Sequence, residues 1–169
     1  MSRIDTIFKD HRDRDQRLLM PFVVAGHLGL DTTEMVLSRL HESGAAIAEV
    51  GFPFSDPIAD GPVIAAAMHE ALESGVTVDA TLSTISRVRD HTDLGLIAMV
   101  SESIVHRRGG TKFIAELSNA GFDGLIIPDI DLATADAMLP AIDDADLAFA
   151  MLAAPSTPSD RLKLLIERC

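Results

Sequence analysis

Residues 46–62 read AIAEVGFPFSDPIADGP, and two unlike halves meet there. Ala46 to Gly51 (AIAEVG) is short, continuous and mostly apolar, the pattern of a strand covered on both faces. The second half, through Pro62, is rich in Pro, Asp and Gly and reads as a loop. The same kind of apolar run recurs on either side, at Leu18 to Ala25, Leu94 to Val100, Gly124 to Pro128 and Leu147 to Leu152. Between these runs the period changes to that of amphipathic helices. Thr32 to Glu42 sets Met35, Val36 and Leu40 near one face, Asp79 to Arg89 does so with Leu82, Ile85 and Val88, and Thr111 to Ala120 with Phe113, Ile114 and Leu117. Ala133 to Ile142 and Ser159 to Arg168 extend the series, and Arg3 to His11 forms an amphipathic segment ahead of the first strand. Asp31-Thr32 with Glu34, and Thr157 to Asp160, read as helix starts, while Gly44 and Gly121 read as helix ends.

Strands alternating with helices imply an α/β domain with a parallel sheet and right-handed crossovers, extending over residues 1–169 as one unit. The alternation is compatible with an open doubly wound sheet or a (β/α) barrel. No Gly-x-Gly-x-x-Gly follows the first strand, which weakens a dinucleotide-binding layout. The formal charge of −12, with Arg107-Arg108 as the only basic pair in the middle of the chain, argues against a nucleic-acid surface. Cys169 is the single cysteine, so neither a disulfide framework nor a cysteine metal site is expected within one chain. No apolar run approaches the ~20 residues that span a bilayer, and residues 1–9 lack a signal-peptide core. The expectation is a cytoplasmic protein with neither membrane nor nucleic-acid partners.

Glu49 is the one charged residue of its strand. A carboxylate there must be paired, hydrogen-bonded or protonated, and burial would raise its pKa toward the range of a general acid. Asp56 and Asp60 fall on the loop that comes next, and in βα proteins such loops build the functional face. Two carboxylates in unlike surroundings can divide acid and base roles. On the residues alone Glu49 is more often a hydrogen-bonded structural carboxylate, and Asp-Pro and Asp-Gly-Pro are first of all turn chemistry. His27, His91 and His106 show no zinc-like spacing and read as loop or surface residues.

The run AEVGFPFSDPIADGPVI closely resembles the signature of the tryptophan synthase α family. Met20 to Gly26 with Thr32-Thr33, Ala120 to Asp129, and Ala154 to Pro158 resemble that family's first, fourth and fifth strand regions, so the likeness spans nearly the whole chain. The resemblance implies a (β/α)8 barrel, here represented by about five parallel strands and an N-terminal helix. It implies a lyase that cleaves indole-3-glycerol phosphate to indole and glyceraldehyde 3-phosphate in tryptophan biosynthesis. By residue, Glu49 matches the carboxyl that protonates indole C3, and Asp60 the one that meets the indole N–H. Phe22, Ile126 and Leu152 match apolar positions around the indole. Pro53 and Asp56 match the loop that faces the β subunit, the partner in the family's α2β2 assembly. No metal or organic cofactor is implied on this subunit, since pyridoxal phosphate belongs to the β partner.

The sequence departs from the family after three strands, one departure being Asp131, which replaces a frequent Pro after Pro128-Asp129. Gly26-His27-Leu28-Gly29 replaces the usual Gly-Asp-Pro, and Ser101-Glu102-Ser103 stands where an aromatic residue and an Asn are frequent. A barrel of this class closes with eight strands and commonly binds phosphate after strands seven and eight. Five strands therefore predict open sheet edges, low stability and poor turnover for residues 1–169 alone. The alternative is a noncatalytic module that binds the β subunit.

Overall fold

The computed structural model describes residues 2–57 and 60–169, so Ile58 and Ala59 of the Glu49–Pro62 stretch lie outside the described residues. In chain order the elements are α1 (Arg3–Asp13), β1 (Phe22–Val24), α2 (Leu30–Glu42), β2 (Ile47–Gly51), α3 (Pro62–Glu73), α4 (Val78–Arg89), β3 (Gly95–Met99), α5 (Glu102–Arg107), α6 (Thr111–Ala120), β4 (Gly124–Ile126), α7 (Leu132–Asp144), β5 (Ala148–Ala150) and α8 (Ser159–Ile166). The strands form one parallel sheet in the order β1-β2-β3-β4-β5, so β1 and β5 are its edges.

The expected strands all form, each trimmed by one to several residues at its ends. Two helices are additional to those expected. The Pro62–Glu73 helix begins directly after the turn-rich loop, with Gly61 at its N-cap and Pro62 in its first turn. A proline there is preorganised for helix because the missing N–H has no intrahelical partner anyway. The other, Glu102–Arg107, is too short to show a period. Helix α2 starts earlier than its capping signal suggests, with Gly29 at the N-cap and Asp31 inside the first turn. At the other end Gly121 closes α6 in the left-handed region, at φ 98°, as its position predicts.

Register sorts the strand residues onto two faces. Ala48, Val50, Leu96, Ala98, Leu125 and Phe149 point to the helical side. There they pack on Leu37 of α2, Ile85 and Val88 of α4, Phe113 and Leu117 of α6, and Met138 and Ile142 of α7. Phe52, just beyond β2, is buried in this layer against Phe113 and Phe122, with ring centroids 6.0 and 5.8 Å away. The other face carries Phe22 and Val24 of β1, Glu49 of β2, Ile97 and Met99 of β3, and Ile126 of β4. Helix α1 covers the N-terminal end of that face. A Cβ on Gly95 would stand 2.7 Å from Ile4 Cδ1 and 2.9 Å from Ile7 Cδ1, so any larger residue would push both isoleucine side chains aside.

The N-terminal end of the sheet is tied by charge. Asp123 accepts from Arg89 Nη2 at 2.5 Å and from the Leu96 N–H at 2.9 Å, and it pairs with Arg3 Nε at 3.1 Å. Arg89 also donates to the carbonyls of Gly121, Leu94 and Thr92. Burial pushes the Asp123 carboxyl up, opposed by the Leu96 N–H and the two guanidinium groups.

Candidate functional site

Glu49 sits at the middle of β2 on the face away from the helical layer, in register with Phe22 on one side and Ile97 on the other. The side chain is half-buried between apolar neighbours, and burial pushes its carboxyl above the ordinary glutamate value. One layer toward the strands' C-terminal ends, Val24, Gly51, Met99 and Ile126 stand in register. A Cβ on Gly51 would lie 2.5 Å from Phe22 Cζ, so any larger residue here displaces the Phe22 ring.

Above this layer the loops enclose a cleft of about 440 Å3. The loop after β2 contributes Phe54, Asp56 and Asp60 to its lining. Met99 forms part of the wall with Ser101 and Ser103 of the β3 loop. Pro128 and Asp129 enter from the loop after β4, and Leu152 from the segment after β5. The lining mixes apolar side chains (Phe54, Met99, Val100, Pro128 and Leu152) with serines and carboxylates, as in a site that holds a flat apolar body and orients it by a few polar groups.

The residues singled out from sequence fall into two groups. Asp56, Asp60 and Leu152 line the cleft. Glu49, Phe22 and Ile126 lie on the sheet face beneath, with Ile126 in the layer of Met99 and Glu49 one layer deeper. Asp56 is exposed and accepts from the neighbouring Ser55 hydroxyl at 2.7 Å. Pro53 is half-buried at the base of the same loop. His27 stands away from the cleft lining, with Nδ1 3.3 Å from Glu70 Oε2 of α3. Glu102 is likewise absent from the lining, and its backbone N–H donates to Asp129. Phe54, Met99, Ser101, Ser103 and Asp129 have no site role in the sequence reading. Asp129, a carboxylate just past a strand end, carried a signal of the same kind as Asp60 and could have been found.

A second cleft, of about 390 Å3, lies at the opposite end among Ser2, Asp5, Phe149 and Arg168, and contains none of these carboxylate candidates. Among the described residues no helix is long and apolar enough to cross a membrane.

A parallel sheet whose strands alternate with helices, most of them on one face, with polar loop residues gathered past the strands' C-terminal ends, defines a protein of the (β/α)8 barrel class. The family model for the tryptophan synthase alpha chain matches residues 8–169. The tryptophan synthase alpha chain of a Cyanothece species is 38% identical over 168 residues, covering 99% of this chain and 63% of that protein. That of Caldanaerobacter subterraneus is 36% identical over 167 residues, with coverage of 99% and 63%. The ligand-free tryptophan synthase of M. tuberculosis superimposes with a TM-score of 0.94 at 33% identity, covering 99% of this chain and 68% of that one. A tryptophan synthase alpha subunit from Pyrococcus furiosus gives 0.85 at 30% identity, over 89% and 61%. The chain belongs to the tryptophan synthase alpha chain family, and it spans about 63% of the length of the curated relatives it matches.

Proposed function

We propose that the cleft and the sheet face beneath it bind indole-3-glycerol phosphate and cleave it to indole and glyceraldehyde 3-phosphate. The observation that carries this reading is Glu49, a half-buried carboxyl on a face otherwise formed by apolar residues and glycine, with its proton held more tightly than usual. Such a group is neutral more readily than an exposed one and can hand a proton to carbon. In the reaction Glu49 protonates indole C3. The ring becomes cationic and Asp60 accepts a hydrogen bond from its N–H. The Glu49 carboxylate left by that transfer takes up the hydroxyl proton of the glycerol side chain, the C–C bond breaks, and its electron pair returns to the ring. Phe22, Ile126 and Leu152 flank the indole. The step needs no redox partner.

Asp56 and Pro53 belong to the proposed contact with the β subunit, and the exposure of Asp56 supports that role. A biosynthetic partnership of this kind belongs in the cytoplasm.

The test is Glu49→Gln in the chain as it stands, with indole release and β-subunit binding measured together. Because the substrate carries the same indole ring, released indole is separated from it before its fluorescence is read. Release by the parent chain, abolished in Glu49→Gln with ligand still bound, supports the lyase. Equal release by both chains overturns the role of Glu49. Partner binding with no release from the parent chain favours the noncatalytic module.

A further inference from the structure

We infer that Asp129 is a positioning residue of the cleft, the tie that holds the loop after β3 against the loop after β4. The hydrogen bonds that define it run across 27 and 28 residues of sequence. Oδ1 accepts from the Glu102 N–H at 2.8 Å, and Oδ2 accepts from the Ser101 hydroxyl at 3.0 Å. The Ser101 oxygen in turn accepts from the Ser103 N–H at 3.2 Å and lies 2.9 Å from the Ser103 hydroxyl. One carboxylate therefore organises the first turn of α5 from the loop after β4.

The placement makes this more than a cap. The ladder between β3 and β4 extends past the strands to a bond from the Val100 N–H to the Ile126 carbonyl, 3.0 Å long. Beyond it, the wall formed by Val100, Ser101 and Ser103 meets the wall formed by Pro128 and Asp129 across the cleft. Ser101 is buried, at 4% exposure, so its hydroxyl must find a partner inside the protein. Asp56 and Asp129 are both exposed, but the side-chain partner of Asp56 is a hydroxyl only one residue away. Asp129 has both oxygens committed to the opposing loop. It sets the separation of the two walls and the direction of the Ser101 hydroxyl, and it acts on a ligand through them.

The effect on ligand rests on the indole reading of the cleft, whereas the tie itself does not. Two measurements keep them apart: amide hydrogen exchange at Glu102, with the core amide of Leu96 as control, and binding of indole itself, followed by its own fluorescence. In Asp129→Ala the Glu102 amide should exchange at least roughly tenfold faster while Leu96 is unchanged, and indole should bind roughly tenfold more weakly, the scale of one charge-assisted hydrogen bond. Asp129→Asn should recover most of both, since its carbonyl can still accept from Glu102 and its NH2 can donate to Ser101. Ser101→Ala removes one arm and should fall between the two; it also serves if Asp129→Ala does not fold. Unchanged exchange at Glu102 in Asp129→Ala overturns the tie. Faster exchange with unchanged indole affinity overturns the positioning role, and so does an Asn variant as weak as Ala. If the parent chain takes up no indole, the indole reading fails, and Glu102 exchange alone decides whether the tie exists.

Discussion

Replacing Asp123 with alanine removes a carboxylate used by three donors at the N-terminal end of the sheet. Its side chain is 13% exposed and that of Arg89 is 20% exposed, so both charges are largely out of water. The Leu96 N–H, in a fully buried residue, would lose its acceptor, at a cost of about 1–3 kcal/mol. Breaking a buried ion pair by deleting one partner costs about 3–5 kcal/mol. The lower end applies, because Arg89 keeps the carbonyls of Gly121, Leu94 and Thr92. The two costs overlap, since one oxygen, Oδ2, serves both the guanidinium and the N–H. Arg3 is 42% exposed and its pair contributes about 0–1 kcal/mol. The expected loss is about 3 kcal/mol, which for a chain of this size lowers Tm by roughly 6–12 °C. Urea denaturation followed by circular dichroism measures it. Asp123→Asn should lose clearly less, because an amide oxygen can still accept from Leu96. Indole affinity below the unfolding transition should not move, since the change lies at the end of the sheet opposite the cleft. A loss under about 1 kcal/mol would refute the reasoning, because an orphaned buried N–H alone should cost that much.

Glu49 predicts a pH dependence of stability. Its folded pKa is raised by burial, so the folded chain keeps a proton over a window in which the unfolded chain has lost it. The stability it contributes is therefore fully present below about 4.5, the ordinary value, and is lost as pH rises through the raised one. The urea midpoint of the parent chain should fall relative to Glu49→Gln as pH rises across that window; a constant difference between the two would contradict the burial effect. Gly51→Ala brings a Cβ within 2.5 and 2.8 Å of the far end of the Phe22 ring. The ring can swing, so the stability cost should stay near ~1 kcal/mol, but indole affinity should fall because Phe22 lies beside Glu49. Affinity equal to the parent's would remove Phe22 from the proposed site. Thr77→Ala deletes the N-cap of α4, whose hydroxyl accepts from the Ala80 N–H at 3.2 Å, and should cost about 1 kcal/mol by urea titration.

The alternation of strand and helix was legible in the amino-acid order alone. Short apolar runs such as Leu94 to Val100 have no surface to spare for water, and the helical periods between them supply the cover, so parallel pairing results from composition and spacing. The isolation of Glu49 within its run, and the long signature that contains it, were legible for the same local reason. Helices α3 and α5 were not: one begins after a turn-rich loop whose residues mask its start, and the other is a six-residue helix whose start is held by Asp129 from the loop after β4. Long-range packing put Glu49 one layer below the cleft that Asp60 lines, made Met99 part of that cleft's wall, and committed both oxygens of Asp129 to the opposing loop. Depth on a sheet face depends on register between strands far apart in sequence, and a carboxylate's partners depend on which loops the sheet brings together. Neither quantity is carried by any single stretch of chain.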